Sequence, residues 1–535
     1  MLHTLNLSRT KIITLPVWVT SIGSLLEHID LTDCCELVEL PRGIVNLKRL
    51  KVLHLVGCKK LCCMPPGLGQ LTHLTTLDLF VVGCGEDAAR ISELENLNMI
   101  SGNMKISNLE YVKDPSDAEK ARLNQQSNIH SLKLDWSTIG IEEGLVSNIE
   151  QELDVLRALE PPSEVKELVI RGYGGPYLPH WFGEESDSCY LDGKLLKKTG
   201  TCNFLCLTEL TLSTFQNLEH LRGLMVFPSL KSFWLDEMPN LEELWTRTSG
   251  FEIGDEESEA QYCFPMLSKL VIMQCPKLMV VPYLPPSLEE LWLEESNEQL
   301  LSPGRSSCQR LPPPVNESSS SCSAHLASPK LKKLKLENMT GSSSGWELLL
   351  HLNGLEQLEI SQCADLTKLP ESIQSLTSLA KLWVLNCPTL GGLPEWLGQL
   401  RSLRDLRVYG TPKVAGLPQL IEHLTSLAVL EIGRCENLKE LPEVIQHLTF
   451  LQKLYLGKSD ALTVLPEWIG QLSALQELRI NNCSALESLP RSIRCLTALE
   501  RLEIRWCPGL AERYREGVGS DRDLVSHIPK VKIYD

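Results

Sequence analysis

The sequence predicts an α/β solenoid made by stacking one short unit many times, and three observations carry that prediction. Leu358, Leu382, Leu406, Leu430, Leu454, Leu478 and Leu502 recur every 24 residues, each within L-x-x-L-x-[LIV]. The same spacing holds at the other end of the chain, at Leu5, Ile29, Leu53 and Leu77. Most of the C-terminal phrases continue as x-x-C-x-x-L-x-x-L-P-x-x-[IL]. A period of about 20–29 residues with this pattern is the signature of a leucine-rich-repeat solenoid. The expected architecture is a curved horseshoe, with a parallel concave β-sheet and short helical or 3-10 turns on the convex side.

Each part of the phrase has a physical reason. In L-x-x-L-x-L the last two leucines alternate with outward residues, which makes a short strand with one buried face. The Leu-Pro step, as in Leu369-Pro370, ends the following turn. Proline has no N–H and disfavours helix in the residue before it, so a new segment starts there. The x-x-I-x-x-L stretch then packs as a helical or 3-10 turn. A buried leucine contributes roughly 1.5–3 kcal/mol, so one unit cannot offset its own ordering entropy but a stack can.

Along the chain, 1–80 reads as N-terminal repeats and 81–160 as an irregular segment, with helices expected at Glu86–Asn98, Ser116–Gln126 and Asn148–Leu159. Residues 161–299 are irregular repeats with inserted loops, one of them acidic at Glu252–Glu259. Residues 300–330 form a Ser/Pro-rich insertion expected to be disordered. The regular 24-residue repeats fill 331–511, and 512–535 reads as a charged tail.

Nineteen cysteines resemble a disulfide set by number alone. Their positions argue otherwise. Cys34, Cys58, Cys363, Cys387, Cys435, Cys483 and Cys507 share one repeat position, which Thr411 and Ser459 fill elsewhere. A site that takes Cys, Thr or Ser wants a small, weakly polar group, so a ladder of reduced thiols is expected, and with it a reducing compartment. The sequons at Asn6, Asn316, Asn338 and Asn482 are then chance matches. Met1 to Leu5 enter a repeat directly without a signal-peptide core, so a cytoplasmic or nucleocytoplasmic location is expected.

Composition and motifs narrow the function. A net charge of −17 disfavours nucleic acid or an anionic membrane as partner. No apolar run is long enough to span a membrane. The chain has no HExxH, GxSxG or GxxxxGK[ST], so no enzyme activity, cofactor or metal is expected. Cys202 with Cys206, Cys58 with Cys62 and Cys63, and the stacked pair His423 and His447 lack a second ligand pair at zinc spacing.

The outward strand positions are the candidate binding residues. In the last seven repeats the central column reads Glu359, Trp383, Arg407, Glu431, Tyr455, Arg479 and Glu503. Beside it run Ser361, Leu385, Tyr409, Gly433, Gly457, Asn481 and Arg505, while Trp234 and Trp292 extend the central column into the irregular repeats. Aromatics and arginines are the usual interface anchors. Trp383, Arg407, Tyr409 and Tyr455 are expected to form one exposed patch on the concave face, with Arg479, Trp292 and Trp234 beside it. Arg407 would offer its planar fork to an acidic partner group. Trp18, Trp181, Trp396 and Trp468 follow a Leu-Pro step and are expected to pack on the convex side. Seven strands span about 29 Å by about 13 Å, roughly 380 Å² against the ~800 Å² per partner of a standard interface. A protein partner therefore needs the irregular repeats as well.

The chain also resembles a known family. Phe80-Val81-Val82-Gly83, Ile91-Ser92-Glu93-Leu94, the stretch to Leu109-Glu110-Tyr111-Val112, Ala118–Leu123, LKLDW at Leu132–Trp136 and the block Val155–Gly175 are similar to the coiled-coil-type plant nucleotide-binding, leucine-rich-repeat disease resistance proteins. The ending CPGL…HIPKVKI also resembles that family, so the match covers essentially the whole chain. The resemblance implies a protein-recognition and autoinhibition module of an intracellular immune receptor. Its implied partners are a pathogen effector, a host target or the nucleotide-binding module of the same receptor. That ATPase module and the N-terminal signalling domain are absent from this sequence, so a fragment or truncated relative is expected. The alternative is a free-standing scaffold of the Ras-group repeat type, which shares the LPxxI phrase.

Overall fold

The computed structural model describes all residues except 1–2, 23–24, 86, 137–148, 183–203, 222–225, 247–261, 282–283, 302–329, 340–345, 415, 518 and 535. The acidic loop, nearly all of the Ser/Pro-rich insertion, Asn316 and Cys202 lie outside the described residues. The chain divides into two units, Met1–Ser287 and Leu288–Asp535.

In the C-terminal unit, ten strands run in parallel: Glu290–Glu294, Lys333–Glu337, Gln357–Ser361, Lys381–Leu385, Asp405–Tyr409, Val429–Gly433, Lys453–Gly457, Glu477–Asn481, Arg501–Arg505 and Lys530–Tyr534. From Lys333↔Gln357 to Glu477↔Arg501 each strand pairs with the next in a register that advances one 24-residue repeat. The alternation is as the phrase demands: Leu382 and Val384 are fully buried, while Lys381, Trp383 and Leu385 face outward.

Each Leu-Pro step opens a five-residue 3-10 turn. Pro370, Pro394, Pro418, Pro442, Pro466 and Pro490 stand at its N-cap in extended conformation. The 3-10 form suits the phrase because it stacks residues three apart, and Ile373 and Leu376 are both fully buried. The residue after each strand turns the corner with φ near +50°, as at Gln362, Asn386, Arg434, Lys458, Asn482 and Trp506. Asn tolerates that conformation well; a bulky side chain such as Trp506 does so only under constraint.

The ladder position is packed as expected. Cys363, Cys387, Cys435, Cys483, Cys507, Thr411 and Ser459 are all buried. Their hydrogen bonds are mixed. Cys34 and Cys58 donate to the preceding coil, at Leu7 O (3.0 Å) and Leu31 O (3.2 Å), whereas Cys435 turns to its own strand at Gly433 O (3.4 Å).

Among the described residues the N-terminal unit holds three parallel arrays. Thr4–Asn6, His28–Asp30, Val52–His54 and Thr76–Leu77 form the first. Leu79–Val81, Gly102–Ser107, Ile129–Asp135, Glu167–Arg171, Glu209–Ser213, Ser232–Asp236 and Lys269–Met273 form the second. Between the two stands Asp78, whose carboxylate accepts the Leu55 N–H at 2.7 Å and lies 2.8 Å from His54 Nδ1. A small third sheet joins His220–Leu221, Glu243–Trp245 and Met279–Val281. Phe204, Phe227 and Phe264 stack through the core, with centroids 6.2 and 6.0 Å apart.

Several local expectations are corrected. The helix expected at Glu86–Asn98 is a 3-10 turn at Ile91–Asn96, because Ile91 and Leu94, three apart, are the residues it buries. The helix expected at Ser116–Gln126 is split into Pro115–Lys120, capped by the Asp114 side chain, and a 3-10 turn at Leu123–Gln125. Trp18 is 53% exposed, whereas Trp181 is buried and donates to Leu156 O. The segment read as a charged tail contains a strand, Lys530–Tyr534, paired to Arg501–Arg505, beneath which helix Pro508–Tyr514 buries Leu510 and Tyr514.

Candidate strand-face recognition site

Each strand of the C-terminal unit presents three outward side chains. The pairing register lines the central ones up as Trp292, Lys335, Glu359, Trp383, Arg407, Glu431, Tyr455, Arg479, Glu503 and Lys532. The column is one triplet written three times: aromatic, cation, carboxylate.

The geometry repeats with the chemistry. Lys335 Nζ lies 4.0 Å from the Trp292 ring centroid, Arg407 Cζ 4.7 Å from that of Trp383, and Arg479 Cζ 4.8 Å from that of Tyr455. Each cation then reaches the carboxylate of the next strand: Lys335 to Glu359 at 3.7 Å, Arg407 to Glu431 at 3.6 Å, and Arg479 to Glu503 at 3.5 Å. A second carboxylate, two residues away on the cation's own strand, completes the unit. Lys335 meets Glu337 at 2.6 Å, Arg407 donates to both oxygens of Asp405 at 2.9 and 3.0 Å, and Arg479 Nε donates to Glu477 at 2.8 Å. A cation over a ring contributes about 0.5–1 kcal/mol at such partly open sites.

This network corrects the expected role of Arg407. Its fork already holds Asp405, because residues two apart on a strand share a face, so it is not a vacant donor for an incoming acid. The patch residues are half-buried, not open: Trp383, Arg407, Tyr409, Tyr455, Arg479, Trp292 and Trp234 all fall between core and full exposure. Trp383 pairs directly with Arg407, but Glu431 stands between Arg407 and Tyr455. In the N-terminal unit, Trp234 donates to Ser232 Oγ at 2.9 Å, and Lys269 Nζ lies 4.9 Å from its ring centroid.

Beside the column lies a hollow that the sequence did not disclose. The Tyr409 ring lies across Gly433, where a Cβ would come within 2.7 Å of it, and reaches toward Gly457. Two successive glycines thus let an aromatic ring lie flat on the sheet. The result is a shallow cleft of about 230 Å³ whose lining includes Tyr409, Glu431, Tyr455, Gly457, Lys458, Asn481 and Trp506. Tyr455 O–H donates to Glu477 at 3.0 Å; burial and that carboxylate push its phenol up to about 12. Burial also raises Glu431, even with Arg407 beside it. Glu477 goes the other way: burial raises it, but hydrogen bonds from Arg479 and Tyr455 outweigh that and hold it below the ordinary glutamate range.

Among the described residues no cluster of three His, Cys, Asp or Glu side chains gathers to hold a metal ion, and no helix is long and apolar enough to cross a membrane. The triplet was present in the sequence as a 72-residue recurrence, Trp383 to Tyr455, Arg407 to Arg479 and Glu431 to Glu503. Reading the central column in threes finds it. Trp506 lies one residue past its strand, outside any outward column, so periodicity alone does not select it.

Fold and face together define a leucine-rich-repeat region with an ordered outward strand face. Residues 91–238 match the family described as R13L1/DRL21 LRRs, and residues 397–521 match a leucine-rich repeat region. Among curated relatives, disease resistance protein RGA2 of Solanum bulbocastanum is 30% identical over 270 residues, covering 43% of this chain and 26% of the relative. Putative disease resistance protein RGA4 of the same plant is 34% identical over 249 residues, 43% of this chain and 23% of the relative. Putative disease resistance protein At3g14460 of Arabidopsis thaliana is 29% identical over 387 residues, 64% of this chain and 26% of the relative. The chain is thus a leucine-rich-repeat region similar to parts of plant disease resistance proteins. It spans about a quarter of the length of the relatives it matches.

Proposed function

We propose that this chain is the recognition and autoinhibition module of a plant intracellular immune receptor, acting by protein contact and not by catalysis. The observation that carries this reading is the strand face of Lys333–Arg505, where the rings of Trp383 and Tyr455 lie against arginines that carboxylates hold in place. Such rings offer contact area at low entropic cost, because their neighbours already fix them. The partner is a protein: a pathogen effector, a host target, or the nucleotide-binding module of the same receptor. The net charge of −17 and the balanced face argue against nucleic acid. Similarity to the plant resistance proteins supports the immune setting and a cytoplasmic location, and favours it over a free-standing scaffold.

Quantitative co-precipitation from leaf extract tests the reading, with wild type compared against Trp383→Ala and Tyr455→Ala. Both variants should fold and should lose the specific partner by about 30-fold, the loss expected of a ~2 kcal/mol hot spot. Undiminished capture by both folded variants would remove the strand face from the account.

A further inference from the structure

We infer that the cleft between Tyr409, Tyr455 and Trp506 is a socket for one basic side chain, preferably arginine, of a protein partner. The inference rests on the strand face being the contact surface and names what one part of it takes. Four observations on the same few residues lead to it.

The first is size. At about 230 Å³ the cleft falls below the ~300–1,000 Å³ of small-molecule sites, and it is shallow, so it suits a single side chain entering from above. The second is its walls. Three aromatic residues line it around a glycine floor, and the faces of tyrosine and tryptophan rings attract cations. A guanidinium also stacks flat on such rings, which an ammonium does not. The third is its polar groups. Asn481 Oδ1 is buried without a hydrogen-bond partner, and Glu431 is a carboxylate. Both accept, so the missing group is a donor. Burial raises Glu431 even with Arg407 at 3.6 Å. The fourth is constraint. Trp506 is 59% exposed, yet its backbone is held at φ +50°, and its N–H is tied to Tyr534 O at 2.9 Å. The other corners of the regular repeats share a positive φ, so what sets Trp506 apart is an exposed aromatic ring on an anchored corner beside the cleft.

Lys458 is the one lining group of the wrong sign. It sits exposed at the corner, and its charge repels a cation, which gives the test a sign of its own.

The full chain is labelled with 5-fluorotryptophan, and the Trp506 resonance is assigned by its loss in Trp506→Phe. Acetyl-arginine methylamide is then titrated against its neutral isostere, acetyl-citrulline methylamide. The arginine probe should shift the Trp506 signal with at least about fivefold higher affinity. Gly457→Val should abolish the shift. A Cβ at Gly457 meets only the Tyr409 ring, at 3.6 Å, an ordinary contact, so a side chain there enters the socket, and the remaining fluorine signals report whether the variant is folded. Lys458→Ala should tighten the arginine probe about twofold. Equal response to both probes, an undiminished shift in Gly457→Val, or weaker binding in Lys458→Ala would each overturn the inference. None of these results would touch the reading of the whole face, which stands on the loss of partner capture in Trp383→Ala.

Discussion

Between Phe204 and Cys275 the repeats are closed by rings, whereas between Cys363 and Cys507 they are closed by leucine and thiols. Phe204, Phe227 and Phe264 each stand five residues before a strand; Leu376, Leu400, Leu424, Leu448, Leu472 and Leu496 stand at that place in the regular repeats. The position two residues past the strand differs in the same direction. It holds Phe215 and Met238 in the irregular part, then Cys275, but Cys, Thr or Ser throughout 363–507. The connections explain the exchange. In the regular repeats the Leu-Pro step and the 3-10 turn bring Ile373 and its equivalents into the core at a fixed length, leaving room only for small groups under the corner. In the irregular repeats a second short strand, His220–Leu221 or Glu243–Trp245, takes over part of that path. The larger side chains fill the space left by the turn. Side-chain volume at these two positions thus tracks the connection, at near-constant packing density.

This comparison can be broken by exchange mutations. The largest effect belongs to Phe227→Ala, which removes a fully buried ring packed against Phe182, Phe204 and Phe264; it should cost about 3–5 kcal/mol. Phe227→Leu, the regular-repeat residue, should cost clearly less, about 1–2 kcal/mol. Hydrogen exchange in strands Glu209–Ser213 and Ser232–Asp236 reads both. Equal costs would mean that the ring does not fill a space special to this region.

The converse exchange comes next. Cys435→Leu should cost about 1–3 kcal/mol by overpacking, while Met238→Leu should cost under about 1.5 kcal/mol because its site is already large. Denaturation midpoints of the two variants decide the order. The thiols offer a chemical check on the native protein. Burial pushes Cys263 and Cys275 up to about 12, and the ladder thiols are buried, so among the cysteines of the described residues alkylation at neutral pH should mark Cys35, Cys62, Cys84 and Cys495 first. Finding Cys363, Cys387, Cys435, Cys483 or Cys507 in disulfides by mass spectrometry of the unreduced protein would contradict the reduced ladder.

The smallest effect is electrostatic. Glu467 accepts the N–H groups of Ser492 at 2.9 Å and Arg491 at 3.1 Å, capping the 3-10 turn of the following repeat. Those bonds, that from Ser492 first, hold its carboxyl below 4.5. A lowered folded-state value means that its contribution is present above the ordinary glutamate range and is lost as pH falls through the folded value. The protection factor of the Ser492 amide, the intrinsic exchange rate over the observed rate at each pH, should therefore fall on acidification, and Glu467→Gln should flatten that dependence.

Much of this was legible before the fold was seen, for reasons that differ by element. A leucine every 24 residues can be buried on one side of a stack in only one register, so Leu358 to Leu502 locate their strands from sequence. Proline at 370, 394, 418, 442, 466 and 490 sets the turns in the same way. The last strand, Lys530–Tyr534, was not legible because KVKIY contains no leucine and lies off the period. Trp18 and Trp181 follow the same Leu-Pro step yet end on opposite sides of the burial scale, since Trp181 has Phe182 and Phe204 to pack against. At the outward strand face, the identity of the column could be read, but its internal pairing could not. Whether Arg407 is vacant depends on Asp405 two residues earlier, and whether Tyr409 lies flat depends on Gly433 one strand away.

The central claim is that contact is made on the strand face of the regular repeats. Lysine footprinting of the full chain, free and in its captured complex, tests this most directly. Lys333, Lys381 and Lys453 lie in the first outward column; Lys368 and Lys439 lie on the connections, and Lys269 on the face of the irregular repeats. The account predicts that the partner protects Lys381 and Lys453 strongly, with Lys368 and Lys439 unchanged. Protection confined to Lys368 and Lys439, or to Lys269, would contradict it.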